Sequence, residues 1–463
     1  MPRFWLIPFV VASALFMENM DATVIATSLP AIAADLGEDP VVLKLAFTAY
    51  LLSLAVFIPI SGWLADRHGA RSVFMTAIAV FTVASVWCGS ANSLAELVAA
   101  RALQGAGGAM MVPVARLIIL RSVPKHQLVA AMAYLTIPAL VGPLIGPPLG
   151  GFITTYFHWR WIFWINVPVG MVGIMLAYLF VPDTKAERSP RLDAIGFVLS
   201  GVALVALMAG LTGAGGSVFP DWLTPVLLVL GVLFAFAYWR HQRRTPDPIL
   251  NFGLLRIATF RTSVLGGAPF RIASGAVPFL LPMMLQVGFG LDPFASGSLT
   301  FVAAAGALVM KFTAQPILRR FGFRTVLTVN ALIGAGFLLA IASFTAATPA
   351  WIIVAVLLVG GFFRSLQFTS LNTIAYADVA NPAMSQATSF AGVTQQVWAA
   401  LGITFAALVI EASRALRGDS GLETADFTVA FIAVGLLGAS SALSHARLAP
   451  DAGSEISGRP AER

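Results

Sequence analysis

The sequence predicts an all-α polytopic membrane protein of fourteen transmembrane helices, arranged six plus two plus six, with both termini cytoplasmic. Three observations predict it. Of the 463 residues, 58% are hydrophobic and only 11% charged, with a mean hydropathy of +0.87. A soluble domain carries about 25% charged residues, so this chain cannot clothe itself in a water-facing surface. The apolar residues fall into runs long enough to cross a bilayer, and a loop motif repeats at the same place in each half of the chain.

A span needs about 20 mostly apolar residues to cross roughly 30 Å of hydrocarbon. Runs of that kind lie near residues 5–31, 42–64, 72–90, 94–119, 128–154, 160–181, 194–214, 222–240, 260–288, 294–318, 324–346, 349–375, 384–411 and 426–445. The first runs unbroken past Asp21 to about Pro30 with no small-residue cleavage site, so it reads as a span and not as a signal peptide.

Orientation follows from the connecting segments. Arg3, "DRHGAR" (66–71), "RSVPK" (121–125), "TKAERSPR" (184–191), "WRHQRR" (239–244), "RRFGFR" (319–324) and the tail after Arg447 fall on one side. "GEDP" (37–40), "GAGGSVFPD" (213–221) and "GLDP" (290–293) fall on the other, with Arg160, Arg414 and Arg417 as the exceptions. The basic side is expected to be cytoplasmic. The net charge of +7 therefore reads as membrane topology, because the Lys and Arg residues sit between apolar runs instead of along one nucleic-acid-binding face.

The loop "DRHGARSV" at 66–73 recurs as "RRFGFRTV" at 319–326, each copy following the second span of its half. That offset is too long for six helices with short loops, and the two helices between 194 and 240 supply the excess. The expected organisation is an N-terminal six-helix bundle (1–181), two inserted helices (182–257), a C-terminal six-helix bundle (258–449) and a disordered cytoplasmic tail (450–463). Parallel repeats of this kind are found in secondary transporters.

Ionisable residues in mid-span are costly and normally face the bundle interior or a wet cavity. In the first span Glu18 and Asp21 stand three residues apart on one helix face. Two carboxylates so close repel when both are ionised, which favours a proton carrier, with Asp21 the first candidate and Glu18 the second. The other reading is a structural lock onto buried arginines. In the fourth span Arg101 and Gln104 share a face, beside glycines that permit close helix approach. Arg101 is the candidate ionic counterpart of a first-span carboxylate, or it snorkels to the surface.

The fifth span reads "LVGPLIGPPLGG" (140–151). Gly142, Pro143, Gly146, Pro147, Gly150 and Gly151 weaken an isolated helix, so the segment must gain from tight packing or a bend. It is expected to serve as an interface hinge and seal. In the loop between spans two and three, Gly69 permits a tight turn and Asp66 can pair with a basic group or a helix N-terminus.

The C-terminal half carries Arg271 and Arg364 in mid-span and Lys311 about two turns from a helix end, with no acid in the middle of any C-terminal span. Two readings are open for the arginines: hydrogen bonding to backbone carbonyls, or a cationic cavity wall that attracts anionic groups. In the second, Gln367, Asn372, Gln395 and Gln396 are the neutral partners, with Phe362, Phe363 and Trp398 as candidate lining.

These motifs resemble the major facilitator superfamily, specifically its fourteen-helix drug:proton antiporter branch, over nearly the whole chain. "MDATVIATSLP" looks like the first-helix signature of that branch, "GWLADRHGARSV" its gating loop, "LVAARALQGAGGAMM" its fourth-helix proton-linked motif and "VGPLIGPPLGG" its antiporter motif. "HWRWIFWINVPVG" (158–170) is likewise typical. The resemblance implies proton coupling for Asp21 and Arg101, gating for Asp66, Gly69 and Arg71, and an antiport hinge at Gly142, Pro143, Gly150 and Gly151. The chain departs from the branch at Ala26, where many relatives have Asn, and at Ala70, where they have a basic or bulky residue.

The expected function is proton-coupled export of small molecules, multidrug efflux, by alternating access in a bacterial inner membrane. The alternative, drawn from the cations of the second half, is export of an anionic metabolite or metal chelate such as a polycarboxylate. The proton gradient is the energy source, with no cofactor, no metal, no nucleic acid and no obligate protein partner expected. An enzyme would need a nucleophile and base or metal ligands at membrane depth, yet His68, His126, His158, His241 and His445 lie in loops or at helix ends. The single cysteine, Cys88, excludes a disulfide framework or thiol metal site within one chain. A channel or receptor would need a filter or signalling domain, and neither is evident.

Overall fold

The structure is a computed structural model in which residues 6–122, 128–183, 192–214, 219–380, 383–418 and 421–457 are described. Among these residues the chain is helical and contains no strand. The first helices are α1 (Leu6–Val24), α2 (Leu29–Leu36), α3 (Lys44–Phe57), α4 (Ser61–His68), α5 (Ala70–Ser90) and α6 (Leu94–Ser122). They are followed by α7 (Leu128–Tyr156), α8 (Trp161–Trp164), α9 (Asn166–Phe180), α10 (Ala194–Gly213) and α11 (Leu223–Gln242). The remainder holds α12 (Ala258–Arg261), α13 (Ala268–Met283), α14 (Pro293–Ala342), α15 (Ala350–Ile374), α16 (Met384–Arg417), α17 (Thr424–His445) and the short α18 (Ser454–Ser457).

Twelve helices among the described residues are long and apolar enough to span a membrane, two fewer than the sequence reading counts. The difference has two sources. The 50-residue α14 covers two expected spans and is interrupted by Gly322 at φ 74°, ψ 162°. The span expected at 128–154 falls on α7, a helix of 29 residues that is not among the twelve and whose side chains are described only from residue 141.

Gly322 is the counterpart of Gly69, which ends α4 at φ 98°, ψ 134°. Both glycines of the repeated loop therefore adopt a backbone region in which a Cβ would clash, and the chain breaks its helix at the same point of both copies.

The chain forms two compact units, Met1–Ala209 with Pro225–Ile249, and Gly210–Thr224 with Leu250–Arg463. In the first, α1 lies against α7 and α9, while α6 is packed between α3 and α5. Its core holds Val11, Leu15, Phe74, Ile78, Phe81, Met111 and Ile118. Helix association in a bilayer relies on close packing, because lipid tails are as apolar as Leu. The glycines of α7 serve that purpose along α1. Gly142 faces the Phe16 carbonyl and the Met20 amide, Gly146 faces Thr23, and Gly150 faces the Val24 carbonyl, each so near that a Cβ would be crowded.

The inserted helices are tied at one end by Asp193. Its Oδ1 accepts the Gly196 N–H at 2.8 Å at the start of α10 and lies 2.7 Å from His241 Nε2 in the last turn of α11.

In the second unit α14 packs on α15 and α17, and α13 on α16 and α17. α13 is bracketed by two π-helical turns, Thr262–Gly266 and Met284–Gly288, closed by the Gly267 N–H to Thr262 carbonyl bond at 2.9 Å and the Phe289 N–H to Met284 carbonyl bond at 3.0 Å. Pro278 and Pro282 remove two backbone donors inside α13, just ahead of the second turn.

Where the sequence reading places disorder from residue 450, the chain folds back as far as Ser457. Leu448 and Ala452 pack with Phe323, Leu327 and Ile374. Gly453, at φ 70°, lies flat on the Phe323 ring, which a Cβ would meet at 2.7 Å. This apolar seat orders a segment whose polar composition had suggested otherwise.

Candidate functional site

Asp21, near the end of α1, is fully buried and accepts three hydrogen bonds. Arg101 Nη1 reaches Asp21 Oδ2 at 2.6 Å, and Oδ1 accepts from Gln104 Nε2 at 2.9 Å and from Asn166 Nδ2 at 2.8 Å. Arg101 is itself fully buried, gives Nη1 also to Gln104 Oε1 at 2.6 Å, and sits 4.2 Å above the Tyr50 ring. Ser85 Oγ accepts from Gln104 Nε2 at 2.8 Å and from Asn166 Nδ2 at 3.3 Å. Five side chains from α1, α5, α6 and α9 thus form one polar knot inside an apolar core. A buried pair needs such auxiliary bonds, since its desolvation cost is not met by Coulomb attraction alone.

Glu18 stands one turn before Asp21 but outside this knot. It is half-buried, and its Oε2 is enclosed with no hydrogen-bond partner among the described residues. The Tyr50 hydroxyl is likewise enclosed and unpartnered among the described residues. Both Tyr50 Oη and Glu18 Cγ border Gly108, at 3.3 and 3.7 Å from where its Cβ would stand. Arg116 of α6 is the basic residue whose field opposes that of Asp21 at Glu18.

The sequence pairs Asp21 with Arg101 and Gln104 but gives no sign of Asn166 or Ser85. Asn166 is the Asn of "WINVPVG", the first residue of α9 and 145 positions from Asp21. Its presence among aromatic residues at a span start is the one available signal.

The gating-loop candidates are placed around the break at Gly69. Asp66 Oδ1 lies 2.5 Å from Arg121 Nη2 at the end of α6, and the Arg71 guanidinium lies 5.8 Å from the Tyr178 ring. Of the hinge candidates, Gly142, Gly146 and Gly150 form the stripe on α1, and the Pro147 carbonyl accepts from Thr27 Oγ1 at 3.4 Å. Gly151 is buried and Pro143 half-buried.

In the second unit, Arg271 is 6% exposed and donates to Asn372 Oδ1 at 2.8 Å and to Gln395 Oε1 at 3.2 Å. Its guanidinium lies 5.7 Å from the Phe368 ring. Arg364 precedes Phe368 by one turn on the same face of α15 and has neither a hydrogen bond nor an ion pair among the described residues. Lys311 is exposed and donates to Thr369 Oγ1 at 2.9 Å. Asn372 and Gln395 are exposed amides in spans, and Gln396 is half-buried.

Gln367 is separated from this group. It is fully buried, donates to the Leu327 carbonyl at 3.1 Å and accepts from Asn330 Nδ2 at 2.9 Å. Its Nε2 lies 3.4 Å from His445 Nδ1. One residue before Phe368, it points to a different neighbour because successive helix positions diverge by about 100°. Trp398 donates to the Val264 carbonyl at 3.0 Å and Phe363 stacks on Phe337, so neither is spare lining. Phe368, which the sequence reading passes over, is the aromatic beside Arg271.

On the face opposite the gating loop, Asp35 in α2 accepts from Arg160 Nη1 at 2.7 Å and from Trp159 Nε1 at 3.0 Å. Burial raises its carboxyl, but those hydrogen bonds and the charges of Arg160 and His158 outweigh it and hold the group below its ordinary value of 3.8. Arg160, an exception to the charge rule, is thereby accounted for.

The sequence profile of the Major Facilitator Superfamily matches residues 11–403. Proteins named "Putative multidrug resistance protein MdtD" are similar along almost the full length. That of Escherichia coli (strain K12) is 36% identical over 448 residues, covering 96% of this chain and 94% of its own. That of Pectobacterium atrosepticum is 35% identical over 445 residues, covering 96% and 95%. Among solved structures, an auto-inhibited POT family peptide transporter gives a TM-score of 0.72 at 16% identity, covering 97% of this chain and 98% of its own. A D-xylose-proton symporter gives 0.68 at 15%, covering 95% and 97%. At such identities what is shared is the fold. The chain is a multi-pass protein of the bacterial inner membrane, and it belongs to the major facilitator superfamily.

Proposed function

We propose that this transporter exports small molecules in exchange for protons, as a multidrug efflux antiporter working by alternating access, with its termini on the cytoplasmic side. The observation that carries the reading is the dry Asp21–Arg101 pair with a second carboxylate, Glu18, one turn away and free at one oxygen. Charge on Glu18 is repelled by charge on Asp21, so a proton arriving there relieves the repulsion while Arg101, Gln104 and Asn166 hold the Asp21 carboxyl group in place. Glu18 is then the carrier and Asp21 its fixed neighbour, anchored by Arg101. Coupling follows if protonated Glu18 and bound substrate stabilise different facing states, since a ligand shifts an equilibrium only by its differential affinity.

The test is substrate-driven proton movement in proteoliposomes, offering a lipophilic cation and a tricarboxylate in turn. Glu18→Gln is expected to abolish proton movement while leaving substrate binding, and absence of proton movement with every substrate on the unsubstituted protein would exclude antiport.

Export of an anionic metabolite is the second reading, favoured by Arg271 and Arg364. Arg271 has only neutral amide partners and Arg364 has none among the described residues. An unneutralised guanidinium at membrane depth is stabilised by an anion. If the tricarboxylate is carried and Arg271→Ala with Arg364→Ala leaves its transport intact, this reading fails.

A further inference from the structure

A cavity of about 690 Å³ opens in the second unit where three spans end, away from the residues assigned above. Its walls come from the start of the span containing Arg271, the residues just after α15, the end of α17, and the tail from Asp451 to Ile456. The volume is that of a small-molecule site. Its tail wall is built and not merely draped: Leu448 and Ala452 are seated in the core beside Phe323, and only a glycine at 453 lets the chain lie flat on that ring.

The lining is charged in both senses. Arg261 and Arg447 face the cavity without an ion-pair partner among the described residues. Asp378, Asp451 and Glu455 line it too, and Asp378 Oδ2 accepts a hydrogen bond from Thr259 Oγ1 at 2.9 Å. Two guanidinium groups suit a phosphate, which each can hold with paired N–H donors. Three carboxylates would repel a simple anion but accept hydrogen bonds from an ammonium group. Basic pockets between transmembrane helices at the level of span ends meet the headgroup layer of the bilayer.

We propose that this cavity binds a zwitterionic phosphate–ammonium group, with the phosphate on Arg261 and Arg447 and the ammonium on Asp378, Asp451 and Glu455. Two sources carry that chemistry, an ethanolamine phospholipid of the adjoining leaflet and soluble phosphoethanolamine. The tail is one wall of the site, which gives a segment outside the transport machinery a ligand-binding role.

The full chain, purified and delipidated in detergent, is titrated with phosphatidylethanolamine, phosphatidylcholine, phosphatidylglycerol and soluble phosphoethanolamine. Binding is followed by native mass spectrometry and by the shift in thermal unfolding. Phosphatidylethanolamine is expected to bind about tenfold more tightly than phosphatidylglycerol, which lacks the ammonium, and than phosphatidylcholine, whose quaternary nitrogen has no N–H donors. Arg261→Gln with Arg447→Gln should remove that binding. Asp451→Asn with Glu455→Gln lies on the tail and does not endanger the helical core, and it should narrow or reverse the preference over phosphatidylglycerol. Displacement of the lipid by phosphoethanolamine, or binding of phosphoethanolamine alone, supports the site and assigns it a soluble ligand. Retention of lipid against excess phosphoethanolamine supports it with the lipid as occupant. Equal affinity for the three lipids, or a lipid preference unchanged in both pairs of variants, overturns it.

Discussion

Asp21 and Arg101, 80 positions apart in the chain, meet at 2.6 Å with neither side chain exposed to solvent. Removing one partner of such a pair leaves an uncompensated buried charge, at about 3–5 kcal/mol. Arg101→Gln should therefore lower stability by about that amount, measured by thermal unfolding in detergent. Asp21→Asn combined with Arg101→Gln should cost less than Arg101→Gln alone, because no isolated carboxylate remains. A strictly additive result would show that the two charges do not stabilise one another.

The glycine stripe of α7 predicts a graded series. Alanine at Gly150 places a Cβ against the Val24 carbonyl and 2.8 Å from Thr27 Oγ1, an overpacking of about 1–3 kcal/mol. Valine there should be worse than alanine, with transport falling alongside stability. Gly334→Ala, where no atom lies within 4 Å of the added carbon, is the control and should be neutral or stabilising.

At Gly322 the cost comes from the backbone conformation. Its φ of 74° lies where an L side chain is strained, so Gly322→Ala should lose about 1–3 kcal/mol in thermal unfolding. The same substitution at Gly69, with φ 98°, should behave alike. Retained stability in either would mean that the loop does not need its break.

The acid response of the face formed by Asp35 follows from its lowered carboxyl. Because the folded value lies below the ordinary 3.8, the contribution is complete above that pH and is lost as pH falls through the folded value. Thermal unfolding followed from pH 7 to pH 3 should show a loss confined to the acid end. Asp35→Asn should flatten that limb without changing transport at neutral pH. The carboxylate is 36% exposed, so added salt should weaken the effect.

Much of the architecture is legible in the sequence because a bilayer admits few solutions: runs of apolar residues become helices, and mid-span charges must find partners. Asp21, Arg101 and Gln104 could be grouped on those grounds. Ser85 and Asn166 could not, since a Ser or Asn in a span is inexpensive alone and reveals its role only when distant helices come together. Gln367 went astray for a related reason. Its type suits a polar cavity, but the turn of α15 sends it towards Asn330 and His445, away from Arg271. The fold-back of residues 450–457 was not foreseen because Leu448, Ala452 and Gly453 are too few to register as a pattern, yet they pack with the ring at position 323.

Gly69 and Gly322 have one more implication. Position 66 is the acid that pairs with Arg121, whereas its counterpart, position 319, is an arginine. The two copies share the same backbone device and carry opposite charges on it. Exchanging the octapeptides between the halves would leave both bends intact and reverse the sign at each, making a chimaera that folds as its parent does but presents the wrong ion at both elbows.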